Sequence, residues 1–242
     1  MNFTTILQDC KKDYKEQTKL RTGGLLSNKD DYYSAASKAF DDAFNQYARR
    51  EKASYASNKN TFMQPVIDII YDYLNNDDRS FNDCFKACCE ASKEILKNSK
   101  FGLAQKFVNM FFKNLYCYDD AKNKESKFEE CHLPLDKYTI QWIRSLGNKE
   151  INKGLSSINN VWSNISEELY NMIQEEVKKS LANGYNYRVS FSNDGQSNEI
   201  KLPERMLDAE FIIWDQEKLV EIRKIIDKLD DKHLKRLGVK KI

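Results

Sequence analysis

The sequence predicts a mainly α fold: a compact multi-helix domain containing a helix-hairpin-helix unit and a small β-hairpin near residues 185–202. Only 8 Gly and 3 Pro occur in 242 residues, which leaves few obligatory turns and favours long helices. Apolar residues recur at three- and four-residue spacing through most of the chain, the period of a helix face. Strict alternation is confined to two short runs, Tyr185 to Phe191 and Glu199 to Leu202, joined through Asn193-Asp194-Gly195 as a hairpin joins its strands.

Taken in order, residues 2–20 form an amphipathic helix, followed by a loop at Thr22-Gly23-Gly24 and Ser27 to Asp30. A second helix over 31–57 carries Tyr33, Ala36, Phe40, Phe44 and Tyr47 on one face and ends in the charged tail Arg49-Arg50-Glu51-Lys52. A third, over 61–75, holds Val66, Ile67, Ile70 and Leu74, with Pro65 in its first turns, where proline is tolerated. Ser80 and Asp83 have capping spacing and open a helix to about Asn98. A tight connection through Asn98 to Gly102 leads to the helix 103–118, so that 82–118 read as helix, hairpin, helix. Asp119 to Glu130 is a charged surface loop. Asp136 to Leu146 is a helix ended by Gly147, 166–182 a long amphipathic helix, and Gln216 to Lys235 a charged final one. No internal repeat or composition shift divides the chain, which gives a single helical domain over 1–242, with a two-lobed arrangement around a cleft beside helix 103–118 as its variant.

Charge and composition exclude several function classes. The 39 basic and 37 acidic residues leave a net charge of +2, so any contact with nucleic acid must rest on a local basic patch. Charges interrupt every apolar stretch before membrane-spanning length, and Met1 to Thr5 lacks the features of a secretory signal. These features imply a cytoplasmic protein with no membrane partner. The six cysteines are then reduced thiols. Cys84 and Cys88 at i, i+4 could join Cys131-His132 in a zinc set, but the spacing matches no familiar metal motif and small buried hydrophobes are the simpler reading. The sequence implies no metal, no cofactor and no obligate protein partner. Nucleotide-binding and zinc-protease motifs are absent.

The helix 103–118 breaks its own pattern. Apolar residues from Phe101 to Tyr116 surround it, which marks a buried helix. Yet Lys106, Asn109 and Lys113 stand at i, i+3 and i+7, on one stripe with Gly102 at its head. Burying an unpaired ammonium costs several kcal/mol, so the stripe either lies at a rim, with the lysines snorkelling outward, or lines a functional cleft. In a cleft, a lysine held by apolar walls yields a neutral amine that can form a Schiff base. Asp136, opening the next helix after Pro134, is the complementary carboxylate.

A helix, a Gly-containing hairpin, a second helix bearing a lysine, and a Leu133-Pro134-Leu135-Asp136 run that opens another helix together resemble the helix-hairpin-helix DNA glycosylase superfamily. The arrangement is most similar to the archaeal 8-oxoguanine glycosylase branch, in which a second lysine follows the catalytic one by seven positions and a Pro-hydrophobic-Asp follows about thirty on. The resemblance covers residues 80–146 and departs from the family in having one hairpin glycine, four residues before Lys106. It implies a DNA glycosylase, with or without lyase activity, that excises a modified base with Lys106 as nucleophile and Asp136 assisting. Gly102 would face DNA phosphate. A flipped base must be stacked and hydrogen-bonded in a pocket, for which Gln105, Asn109, Lys113, His132 and Trp142 are the substrate- or DNA-binding candidates. Glu210, which interrupts the apolar run Leu207 to Trp214, is either an exposed acid or a buried partner for one of the lysines. The alternative to the enzyme is a non-catalytic helical module that binds nucleic acid or protein through the same lysines.

Overall fold

The structure, a computed structural model, describes residues 3–48, 52–76, 78–95, 100–190 and 197–226. It is mainly helical with one two-stranded antiparallel sheet. The helices are α1 (Phe3–Thr18), α2 (Tyr32–Ala48), α3 (Lys52–Asn75), α4 (Phe81–Ile95), α5 (Phe101–Tyr116), α6 (Lys137–Ser145), α7 (Lys149–Ser157), α8 (Glu167–Ala182) and α9 (Met206–Ile226). Strands β1 (Asn186–Ser190) and β2 (Ser197–Lys201) pair from Asn186 opposite Lys201 to Ser190 opposite Ser197.

α5 is the axis of the molecule. Every residue from Gly102 to Leu115 is buried. α2 and α4 pack along it, and the 3-10 turn Trp162–Asn164 lies against it as well. Phe107 of α5 meets Phe40 and Phe44 of α2, with ring centroids 5.8 and 6.0 Å apart, the edge-on and tilted geometries that aromatic quadrupoles favour. α9 packs against both α1 and α6. Buried apolar side chains from Ile6 to Ile213 form one continuous cluster. All six cysteines are free and buried within it. No helix among the described residues is long and apolar enough to cross a membrane.

Start signals in the sequence act as expected. The Ser80 hydroxyl accepts from the Asp83 N–H at 3.2 Å, and Ser166 accepts from the Leu169 N–H, in each case supplying an acceptor to an orphan amide of the first turn.

Several elements differ from the sequence expectation, and α2 ends at Ala48 instead of running to 57. The helix around Pro65 starts at Lys52, so that Pro65 lies well inside α3; proline forfeits one intrahelical bond there, and packing of the apolar face outweighs the loss. α9 begins at Met206 instead of at Gln216, because Leu207 to Trp214 is apolar on nearly every side and shows no period by which to identify a helix. α7, capped by Asn148, was not foreseen: only Ile151 and Leu155 are buried, too few for a clear stripe. The charged segment after α5 forms 3-10 turns over Ala121–Phe128 that bury both end residues. The expected hairpin turn at 193–195, the charged tail at 49–51, the connection at 96–99 and the last helix beyond 226 lie outside the described residues.

Candidate functional site

Residues 131–136 form neither helix nor strand between the Ala121–Phe128 turns and α6, with Leu133, Pro134 and Leu135 buried. The Gln174 amide of α8 clasps this segment at one residue, donating to the Leu133 carbonyl at 2.8 Å and accepting from its N–H at 3.0 Å. The strap delivers Asp136 as the N-cap of α6. Its Oδ1 accepts from the Tyr138 and Thr139 N–H groups at 2.9 and 3.0 Å, while the Asp136 N–H donates to Thr139 Oγ1 at 2.8 Å, a reciprocal capping box. Oδ2 is left for Lys106, whose Nζ lies 3.1 Å away.

The two residues are 6% and 9% exposed, so the pair is shielded from water without being sealed. Burial by itself raises the Asp136 carboxyl. Lys106, the Thr139 N–H and, further off, Lys113 outweigh it and hold the group below the usual carboxylate range. The Trp162 ring is the other wall, its centroid 5.7 Å from Lys106 Nζ.

The remaining stripe residues take different partners. Lys113 and Glu210 are fully buried and form an ion pair, and Lys113 Nζ lies 3.9, 4.6 and 5.3 Å from the ring centroids of Tyr14, Phe211 and Trp214, within cation–π range. Glu210 is thus the buried partner that the sequence left open. Burial raises its carboxyl, against the pull of Lys113. Asp42 of α2, which the sequence did not single out, belongs to the same cluster: burial raises it while Lys38, Lys106 and Lys113 pull it down. Its sequence signal, one acid on an otherwise apolar face, is too common to be read.

Asn109 donates to Gln105 Oε1 at 3.1 Å and to the Tyr170 hydroxyl at 2.8 Å. That hydroxyl meets His132 Nδ1 at 2.8 Å, and Gln105 donates to the Gly102 carbonyl at 3.0 Å. Gln105 and Asn109 are therefore buried in a chain of protein hydrogen bonds, with Tyr170 as a link that sequence reasoning missed. His132 does not join Lys106 and Asp136. It lines a separate cleft between α4 and α8, where burial, and secondarily Lys178, push its pKa down to about 4.

Two expected DNA or substrate contacts are placed elsewhere. A Cβ on Gly102 would lie 2.4 Å from the Trp162 carbonyl oxygen and 2.7 Å from the Ser163 backbone; this glycine serves the close approach of the Trp162–Asn164 turn, which covers the site a phosphate would need. Trp142 is 1% exposed and packs edge-on against Tyr185, which makes it a core residue of α6. No family model, curated protein or solved structure matches the chain.

What remains is a buried amine–carboxylate pair, its carboxylate fixed by a helix cap, with a second ion pair two turns along the same helix. Such a pair can move a proton between Nζ and Oδ2 without passing it through bulk water, and can present an amine to a carbon electrophile.

Proposed function

We propose that this chain is a helix-hairpin-helix-type DNA glycosylase acting on a modified base, with Lys106 as nucleophile and Asp136 as its acid–base partner. The observation that carries the reading is the 3.1 Å contact between Lys106 Nζ and an Asp136 already committed to capping α6. The order of parts along the chain, helix, connection, lysine helix and Pro-Leu-Asp cap, resembles that of the family. Lys100, exposed at the start of α5, supplies local positive charge for a phosphate backbone.

In the resting pair Asp136 is the carboxylate; transfer of a proton from Lys106 Nζ to its Oδ2 frees the amine lone pair, which attacks C1′ of the damaged nucleotide. The C1′–N bond breaks, and its electron pair leaves with the base, which takes the proton from Asp136 Oδ2. The new C–N bond leaves a cationic secondary amine on C1′. Loss of its proton and cleavage of C1′–O4′, with O4′ taking up that proton, give an iminium; if lyase activity is present, loss of a C2′ proton and β-elimination release the 3′ phosphate. The depressed pKa of Asp136 makes its carboxylate a weak base at rest, so the transfer depends on bound substrate excluding water from the pair while Nζ and Oδ2 stay in contact.

Borohydride trapping on duplexes carrying a panel of damaged bases tests this directly. A covalent protein–DNA adduct is expected with the wild-type chain and none with Lys106→Gln, while Asp136→Asn slows base release by a factor of about 10² to 10⁴. Absence of both adduct and base release across the panel would sink the enzyme reading.

The small exposure of the pair favours a second reading, a non-catalytic helical module that binds nucleic acid or protein and in which the pair does no chemistry. Salt-dependent DNA binding that survives Asp136→Asn, without base release, identifies it.

A further inference from the structure

The cleft between α4 and α8 plays no part in the Lys106 chemistry. It consists of two adjoining cavities of about 330 and 250 Å³ that share Asn82, His132, Gln174 and Glu175, a size suited to a small ligand. Its aromatic floor is Phe85, Phe101 and His132. Phe85 stacks on Tyr170 with centroids 5.4 Å apart, and His132 meets Phe85 edge-on at 4.9 Å, so the floor is held from beneath.

His132 Nδ1 lies 2.8 Å from the Tyr170 hydroxyl, and burial keeps the ring neutral above about pH 4. A neutral aromatic floor attracts a cation and its methylene groups alike.

The walls carry four carboxylates, Glu90, Glu130, Glu167 and Glu175, against two ammonium groups, Lys86 and Lys178. Glu167 and Glu175 are eight residues apart on α8, about 12 Å along its axis. That separation is too great for both to ligate one metal ion, and no set of three His, Cys, Asp or Glu close enough to hold a metal occurs among the described residues. An extended triamine with nine bonds between its end nitrogens spans about 11 Å.

We propose that this groove binds a linear polyamine of spermidine length, its end ammonium groups at Glu167 and Glu175 and its methylene segments over Phe85 and His132. An anion would face the carboxylates, and a short diamine would reach only one of the two α8 acids.

Calorimetric titration of the full chain at physiological salt tests the proposal. Spermidine should bind at one site at least tenfold more tightly than putrescine, and the double variant Glu167→Gln/Glu175→Gln should lose at least tenfold in spermidine affinity. Both acids are exposed, so the variant's melting temperature should match the wild type. His132 and His233 are the only histidines, so the proton spectrum holds two imidazole Hε1 signals. Spermidine should shift the one that is missing in His132→Gln. No binding at millimolar spermidine, equal affinity for putrescine, equally effective displacement by Mg²⁺ at matched charge, undiminished affinity in the double variant or an unmoved His132 signal would each overturn it.

Discussion

Asp136 holds two roles on two oxygens: Oδ1 caps α6 and Oδ2 faces Lys106. Substitutions separate them. Asp136→Asn retains a good cap but removes the charge, and Asp136→Ala removes both. Leaving a buried ammonium without its partner costs about 3–5 kcal/mol and loss of a cap about 1 kcal/mol, so urea unfolding should find both variants strongly destabilised and the alanine variant about 1 kcal/mol the worse. The pH dependence divides in the same way. Burial lowers the His132 pKa to about 4 in the folded chain, against about 6.5 for a free imidazole, so the folded state binds fewer protons in that interval. The stability it leaves intact above pH 6.5 is lost as the pH falls towards 4, by at most about 3 kcal/mol. Melting temperature should therefore fall with pH through this window, and less steeply in His132→Gln. Asp136, with its folded pKa depressed below 3.8, contributes stability that is present above that value and lost only in stronger acid, as the pH falls through the folded pKa, so Asp136→Asn should flatten the curve there instead.

Among the elements, α5 shows how much of the site could be read in advance. Its burial and its polar stripe were plain from the spacing of Lys106, Asn109 and Lys113, because helical period places them on one face. The period does not say that three neighbours meet that face: the α6 cap at Lys106, Tyr170 of α8 at Asn109 and Glu210 of α9 at Lys113. Gly102 was read as a backbone donor for phosphate, and its actual neighbour, the turn at Trp162–Asn164, lies sixty residues on, beyond any local signal. Gly102→Ala tests that packing. Alanine gains about 1 kcal/mol of helix propensity over glycine, but its Cβ would overlap the Trp162 and Ser163 backbone, and overpacking costs about 1–3 kcal/mol. A net loss of stability, measured as a lower urea midpoint, is expected; a gain would mean that the turn yields freely.

For the whole molecule, the Lys113–Glu210 pair ties the central helix to the last one, with Tyr14 of the first helix against the same ammonium. Because both groups are fully buried, each compensates the desolvation of the other. Lys113→Met or Glu210→Met alone should cost about 3–5 kcal/mol, whereas the double replacement should fall within about 1 kcal/mol of wild type or exceed it; a double-mutant cycle in urea measures the coupling. Additive losses would show that the pair is not a unit. At this scale the sequence by itself determined that the chain is mainly helical, that 102–115 is buried, that Asp136 opens a helix and that 185–202 holds paired strands, since propensity, period and capping are local properties written in neighbouring residues. Tertiary structure alone decided that Lys106 meets Asp136, that Lys113 is sealed against Glu210, that Trp162 closes over Gly102 and that His132 faces a different cleft. Period specifies which side of a helix turns inward; which distant side chain it meets there depends on how all the helices pack together.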